Sequence, residues 1–318
     1  MRRVLLNGLD DVVHFGKKFV SFEDAPDGRV IARFADGTNV ASDLIVGADG
    51  ANSAVRTQLL PEAKRIETGI VAVGGRLPLS AEVLALTPQE IMRGPTPIMG
   101  PPGCRMFWNG VRRGGPGSAD KESAPRDADE GERSSSEGDR EEYVMWGFSA
   151  RRQRFAVFNK LEELDGGELK GIVVRMMAEW HPSLRRLVQM TDPSTIRPLT
   201  VKTSIPVPPW KTRNVTLLGD AIHNMPPFRG VGANAALWDA ALLRETIVAV
   251  DRGEATLLNA LASYERQMLD HGFRFVRASL DDMERFHSEN LISRMFARAF
   301  LRVADRVPAL QAKMVRGR

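Results

Sequence analysis

The sequence predicts a mixed α/β protein, with some α+β character, built on a partial parallel sheet. Two short apolar runs, within residues 43–49 and 214–220, each end in an aspartate. Such runs are typical of strands buried on both faces of a parallel sheet. Residues 19–40 carry strand and turn signals, which indicate a β-meander before the first run. Residues 234–268 have helical spacing, so the elements after the second run are predicted as helices.

The meander is predicted as three strands joined by tight turns. Residues 19–23 have strand composition, and over 30–34 the apolar residues at even positions would share one face. Asp36-Gly37 is a hairpin turn signal in front of a third strand at 38–40. The three strands then lead into the buried strand that ends at Asp49.

The middle of the chain is predicted as short strands and helices around an insertion. Residues 70–73 and 143–148 have strand composition, and residues 168–180 have helical periodicity. Residues 114–142 contain no Val, Ile, Leu, Met, Phe, Trp, Tyr or Cys. A segment of this kind buries too little surface to offset its ordering entropy, so we predict a disordered insertion.

The last third of the chain is predicted as two helices. A Pro/Gly-rich turn at 225–232 leads into a helix that begins near Asn234 and that Gly253 is placed to end. The stripe predicted to be buried on this helix is Leu237, Ala240, Leu243, Ile247 and Val250. The face predicted to be buried on the next helix is Leu257, Leu261, Tyr264 and Met268.

Composition excludes several classes of protein. The 318 residues are 43% hydrophobic and 26% charged, which is typical of a globular protein with room for two domains. Cys104 is the only cysteine, so intrachain disulfides and thiolate clusters are excluded, and the five histidines lack metal-ligand spacing. The net charge of +4, without basic segments interleaved with aromatics, argues against nucleic acid as a partner. The absence of a membrane span or signal peptide predicts a cytoplasmic protein.

One basic feature lies near the C-terminus. Arginines recur there once per helical turn, at Arg294, Arg298, Arg302 and Arg306. A solvated face on a packed helix is the ordinary interpretation of this pattern, and a helix lying on a membrane surface is the alternative.

Two carboxylates and a glycine pair are the candidate ligand-binding groups. Asp49 and Asp220 end the two predicted parallel strands, and ligands of open α/β sheets bind at that edge. Carboxylates there can accept hydrogen bonds from ribose or ribityl hydroxyls. Residues 230–235 resemble the G-x-G-x-x-[GA] fingerprint, but residues 220–229 separate them from the strand, so the match is not a dinucleotide loop. Glycines at a helix start still expose N–H groups to an anionic or electron-rich ligand.

Two motifs carry a family resemblance. Residues 44–56, LIVGADGANSAVR, closely resemble the DG motif of class A FAD-dependent monooxygenases, the aromatic-hydroxylase (PHBH-like) family. Residues 217–223, LLGDAIH, followed by PPFRGVGAN at 226–234, resemble that family's GD motif and its continuation. The resemblance implies a partial FAD-binding domain at 1–62, a substrate domain at 63–208, a return to the FAD-binding domain at 209–253 and a C-terminal helical segment at 254–318.

The resemblance also implies an activity and a set of site residues. NAD(P)H would reduce bound FAD, oxygen would form a flavin C4a-hydroperoxide, and a small organic substrate, aromatic or not, would be hydroxylated or epoxidised. By family position Asp220 contacts the ribityl chain, whereas Asp49 and Arg56 lie near the pyrophosphate and the path of NAD(P)H. The carbonyl of Pro227 lies beside flavin C4a, and no side-chain acid or base is assigned. The implied cofactor-binding set is Asp49, Gly50, Arg56, Gly219, Asp220, Gly230, Gly232, Ala233 and Asn234, with no metal ligand.

The sequence departs from the family at its beginning. Complete members open with a strand, a G-x-G-x-x-G loop and a helix, and no such unit precedes Leu5. The resemblance therefore predicts an N-terminally truncated fold in which the strands at 44–46 and 215–218 lack their usual neighbour and offer an edge to another chain. The alternatives to a monooxygenase are a non-catalytic remnant or partner subunit with weak or no FAD binding, and an enzyme that oxidises or reduces without oxygen insertion.

Overall fold

The computed structural model describes residues 2–112, 142–157 and 159–290. The predicted insertion, apart from Glu142, and the four C-terminal arginines lie outside the described residues. The strands are β1 Phe19–Asp24, β2 Val30–Phe34, β3 Asn39–Ser42, β4 Ile45–Gly47, β5 Arg65–Pro78, β6 Thr96–Met99, β7 Cys104–Val111, β8 Tyr143–Arg151, β9 Arg197–Ser204 and β10 Val215–Leu217. The helices are α1 Arg2–Leu6, α2 Ala54–Leu59, α3 Ala81–Leu86, α4 Gln89–Arg93, α5 Gly166–Met176, α6 Pro182–Met190, α7 Asp220–His223, α8 Gly232–Asp251 and α9 Leu257–Phe286.

The chain divides into two compact units. The motif unit consists of Arg2–Thr68 and Lys202–Arg285, and it contains both sequence motifs. The described part of the sheet unit consists of Gly69–Val201 and residues 286–290, and it contains most of a five-stranded sheet. The mixed α/β class predicted from the sequence is confirmed.

The motif unit is built on the predicted meander and parallel pair. Strands β1, β2 and β3 form an antiparallel sheet, and the third strand begins at Asn39. Strands β4 and β10 pair in parallel, with Leu217 opposite Gly47. Within the described residues these strands form a two-stranded sheet with each other, and the absence of the strand that the family's N-terminal unit would add stays a prediction. Helix α9 buries Leu261 and Met268 against the same core as β10, which confirms the predicted face of that helix.

Much of the core of the sheet unit comes from buried residues that alternate with more exposed ones along β7 and the first half of β8. Its sheet has the order β6-β7-β8-β5-β9. Trp108 on β7 and Trp146 on β8 are directly paired and fully buried, whereas Phe107 between two buried neighbours is 40% exposed. Helices α5 and α6 belong to the same hydrophobic cluster as these tryptophans. The predicted helix at 168–180 is shorter than expected, because α5 ends at Met176 and His181 caps the start of α6.

Helix α8 buries Leu243 of the predicted stripe but otherwise a different face. The buried residues are Ala235, Asp239 and Leu243, while Leu237 and Ile247 of the predicted stripe are 41% and 44% exposed. The small residues at the start of α8 lie against the turn that follows β10, as Ala236 does at Gly219. With α8 packed in this way, Asp239 faces the interior and Leu237 does not.

Candidate functional site

The two predicted acids lie at one edge of the parallel pair. The ladder between β4 and β10 continues past the strands, since Leu218 N donates to Gly47 O at 3.1 Å. Asp49 and Asp220 therefore follow neighbouring strands at their carboxyl ends, as the sequence predicted. In open parallel sheets this is the edge at which ligands bind.

Asp49 has a local structural role in the loop after β4. Its Oδ2 accepts hydrogen bonds from Ala54 N at 2.7 Å and from Val55 N at 3.3 Å, at the start of α2. Ser53 caps the same helix through Arg56 N, and Ser53 N donates to Gly50 O. The DG motif is thus first a capped helix start, whose backbone donors are already occupied by its own side chains.

Arg56 joins the two motifs. Its side chain is buried, and Nη1 donates to Ala51 O at 3.1 Å and to Ala221 O at 2.7 Å. Burial lowers the pKa of Arg56, the nearby Arg65 lowers it further, and Asp49 opposes both. Arg56 Nε is buried and has no hydrogen-bond partner in the described part of the chain. The main contacts of Arg56 therefore hold the loop after β4 against the turn after β10.

Arg65 makes a second connection that the sequence did not predict. Its guanidinium donates to Asn52 Oδ1 at 2.6 Å and to Asn224 Oδ1 at 3.2 Å. Both acceptors are neutral, and no carboxylate within the described residues forms an ion pair with either Arg65 or Arg56. Their positive charge is therefore available to an anionic group at this edge.

Asp220 is the acid whose side chain is open. It is exposed, and its carboxylate accepts no hydrogen bond and forms no ion pair with any described residue. The preceding Gly219 has φ +61°, and a Cβ at that position would lie 2.8 Å from Ala236 Cβ. Glycine is required here because the backbone is left-handed and α8 lies against it.

The start of α8 lies beside this turn and has open donors. No side chain caps Val231, and the first turn contains no acidic residue. Gly232 is half-buried, while Ala233 and Asn234 are exposed. The first-turn N–H groups of a helix lack intrahelical partners, and the helix dipole favours electron-rich groups there.

The segment between the turn and α8 is held from the other side. Pro227 is exposed at the start of a short 3₁₀ turn that Gly230 ends. Within that turn Arg229 forms an ion pair of 3.1 Å with Asp282 on α9. The approach to α8 is therefore anchored, while Pro227 itself remains open.

The sequence reasoning missed Asp239 as a member of this region. Asp239 is fully buried on α8 and contacts both Gly219 and His223. The signal was present as a single acidic residue within ANAALWDAALL, on a helix whose other nearby residues are apolar or small. An acid in such a stretch is buried only where it has partners.

The described residues show neither a metal site nor a membrane span. They contain no group of three or more His, Cys, Asp or Glu side chains arranged to hold a metal ion. None of their helices is long and apolar enough to cross a bilayer.

Comparison with known proteins places this arrangement in a family. A family model described as the FAD binding domain matches residues 148–279. A structure assigned as an FAD-containing monooxygenase from Photorhabdus luminescens is 33% identical, with a TM-score of 0.74, over 89% of this chain and 72% of that one. Klebsiella pneumoniae HpxO complexed with FAD and uric acid shares the fold, with a TM-score of 0.71 and 23% identity over 98% of this chain and 69% of that one.

A curated relative extends beyond the matched region. The dual O-methyltransferase/FAD-dependent monooxygenase CTB3 of Cercospora beticola is 30% identical over 92% of this chain, which corresponds to 34% of that protein. The chain therefore spans about a third of the length of this relative.

Fold and similarity together define the class of the protein as one with the fold of FAD-dependent monooxygenases. The chain belongs to the FAD-dependent monooxygenase family, and the cofactor of that family is FAD.

The residues at the sheet edge fit a flavin nucleotide. Asp220 supplies a free acceptor suited to ribityl hydroxyls, and the uncapped start of α8 supplies donors suited to the electron-rich edge of an isoalloxazine ring. Arg56 and Arg65 supply positive charge suited to a pyrophosphate. An acceptor for neutral hydroxyls beside donors for an electron-rich ring is the pattern such a ligand needs.

Proposed function

We propose that this chain is the catalytic part of a FAD-dependent monooxygenase that takes electrons from NAD(P)H and transfers one oxygen atom to a small organic substrate. When bound, the flavin supplies the redox chemistry and the activation of O₂. The residues of the motif unit bind and orient it. The chain corresponds to only part of relatives such as CTB3, so the complete monooxygenase activity is proposed for this chain by similarity.

The observation that carries the proposal is the open carboxylate of Asp220 next to the uncapped start of α8. Asp220 has no partner among the described residues, although Asp49, Asp239 and Glu265 in the same unit are all hydrogen-bonded. A carboxylate left free at the ligand-binding edge of a sheet is suited to an external hydroxyl. We therefore assign Asp220 as the residue that accepts hydrogen bonds from the ribityl hydroxyls of FAD.

The other predicted residues divide by the contacts they already make. Gly232, Ala233 and Asn234 present backbone N–H groups, and Gly230 and Pro227 form the exposed approach to them. Asp49, Gly50 and Gly219 shape the loops, because their donors and acceptors are used within the chain. We assign Arg56 to charge compensation near the pyrophosphate, since no carboxylate in the described part of the chain forms an ion pair with it.

The substrate is proposed at the level of a small organic molecule. HpxO, which shares the fold, is complexed with uric acid, a compact polar heterocycle. We propose that the sheet unit supplies the substrate contacts and that either NADH or NADPH serves as reductant. Association through the edge of the β4–β10 pair and a cytoplasmic location both stay predictions.

A titration of the full chain with FAD tests the proposal. We expect saturable quenching of flavin fluorescence, and FAD-dependent oxidation of NAD(P)H that consumes O₂. Asp220→Ala should weaken FAD binding by about 1–3 kcal/mol, because a ribityl hydroxyl loses its charged acceptor. Asp43→Ala is a matched control, since Asp43 is an exposed acid in the same unit at the opposite end of β4.

Two outcomes would count against the proposal. No saturable FAD binding would favour the non-catalytic remnant or partner subunit. Equal FAD affinity for Asp220→Ala and Asp43→Ala would remove Asp220 from the cofactor site.

A further inference from the structure

One buried carboxylate holds both ends of the turn that carries Asp220. Asp239 Oδ2 accepts a hydrogen bond from Gly219 N at 2.8 Å and lies 2.6 Å from His223 Nε2. Gly219 immediately precedes α7 and His223 is its last residue. The side chains of Asp239 and His223 are 0% and 1% exposed. A single oxygen atom of α8 therefore constrains the whole four-residue turn.

The pair is not explained by stability alone. Asp239 Oδ1 and His223 Nδ1 are both buried, and neither has a hydrogen-bond partner among the described residues. Burying polar atoms without partners has a cost, and apolar side chains of similar size often stabilise a core as well or better. What the pair supplies, and apolar residues would not, is a defined direction for the turn.

The surrounding backbone is shaped to admit this pair. A Cβ at Gly272 of α9 would lie 2.2 Å from the His223 ring, so the ring occupies space that any other residue would fill. Ala236 of α8 lies against Gly219 on the other side of the turn. Helices α8 and α9 thus both pack against this turn, and the exposed side chain on α7 is that of Asp220.

We propose that Asp239 and His223 are positioning residues that fix the direction of the Asp220 carboxylate toward the ribityl chain of FAD. This inference rests on the proposed function. It adds that the cofactor affinity contributed by Asp220 depends on a buried pair that does not itself touch the flavin.

The first test needs no cofactor. Amide hydrogen exchange at Gly219 is measured in the full chain, comparing wild type with Asp239→Ala and Asp239→Asn. We expect exchange to be at least about tenfold faster in Asp239→Ala, because the acceptor is lost. Asp239→Asn should stay close to wild type, since its amide oxygen can still accept from Gly219 N. Unchanged exchange in Asp239→Ala would overturn the assignment.

The second test is a double-mutant cycle on FAD affinity. Asp239→Ala should weaken FAD binding at least about fivefold in the wild-type background and much less in the Asp220→Ala background, because residues that act through one another are not additive. Asp239→Asn should restore most of the affinity. Fully additive losses would show that Asp239 does not act through Asp220.

Matched variants separate positioning from general damage. Glu265→Ala removes another buried carboxylate of the same unit, which bonds Thr212 and Thr216; it should leave exchange at Gly219 and FAD affinity unchanged. If Asp239→Ala does not fold, His223→Ala should accelerate exchange at the end of the turn and weaken FAD binding, and no effect on either would overturn the proposal. If wild type does not bind FAD, the proposed function fails, while exchange at Gly219 still decides the role of Asp239.

Discussion

The motif unit and the sheet unit are stabilised by different kinds of interior. In the sheet unit the largest buried side chains are aromatic, including Trp108, Trp146 and Phe148. In the motif unit Arg56, His223, Asp239 and Glu265 are buried as well, whereas the described part of the sheet unit buries His287 and the thiol of Cys104. Buried ionisable groups are costly unless they are paired, so the motif unit gives up stability to fix loop geometry.

The largest expected effect tests the sheet unit. Trp146 is 1% exposed, and its Nε1 donates to Thr191 Oγ1 at 2.9 Å. Trp146→Ala should lower the free energy of unfolding by about 3–5 kcal/mol, because it opens a cavity in an apolar core. Chemical denaturation followed by circular dichroism measures this. Phe107→Ala, on the neighbouring strand but 40% exposed, is the control, with a loss of less than about 1 kcal/mol expected.

If Trp146→Ala and Phe107→Ala had similar effects, the alternation along β7 and β8 would not be the source of the stability of this unit. The contrast with the polar interior of the motif unit would then be lost.

A smaller effect, dependent on pH, tests the motif unit. Burial raises the pKa of Glu265 above its ordinary value of 4.5, against hydrogen bonds from Thr212 and Thr216 that lower it. The folded state therefore retains this proton more strongly than the unfolded state. The resulting stability is fully present below pH 4.5 and is lost as the pH rises through the raised pKa.

The variant Glu265→Gln cannot titrate at this position, so it is the reference against which wild type is compared. We expect the unfolding free energy of wild type, relative to the variant, to fall as the pH rises from 4 to 7, because the folded state binds this proton more tightly than the unfolded state. Guanidinium denaturation at a series of pH values gives this difference. A difference that is constant, or that increases with pH, would contradict the raised pKa.

The smallest expected effect is on stability, and it distinguishes a role of Asp220 in binding from a role in folding. Asp220→Ala should change the free energy of unfolding of the cofactor-free chain by less than about 0.5 kcal/mol, because the side chain is exposed and has no partner. Thermal unfolding without FAD checks this. A large loss would mean that Asp220 stabilises the turn itself, and its FAD phenotype would then be indirect.

Several features could be predicted from the sequence because they depend on local patterns. The meander, the parallel strands ending at Asp49 and Asp220, and the buried face of α9 at Leu261 and Met268 followed from residue periodicity. In each of these the pattern repeats along one element, so a single segment carries the information. The predicted strands at 19–23 and 30–34 are confirmed, and they pair with each other in antiparallel orientation.

Features that depend on contacts between distant elements could not be predicted. The predicted stripe of α8 was right at Leu243 and wrong at Leu237 and Ile247, because these two satisfy helical spacing as well as the residues that are in fact buried. Strands β6, β7 and β9 were not recognised individually, and their pairing depends on partners far away in the chain. The assignments of the site residues to FAD stay predictions.

The sequence by itself determined the family and the edge of the sheet at which a ligand should bind, since both are encoded in two contiguous motifs. Only the tertiary structure decided which acid is free. Asp49 and Asp220 each end a predicted parallel strand, yet Asp49 accepts hydrogen bonds at the start of α2 while Asp220 is left open. One reason is that Asp239, 20 residues further along the chain but adjacent in space, accepts the hydrogen bond from Gly219 N. Hydrogen-bond partners across helices are set by packing, which no local pattern records.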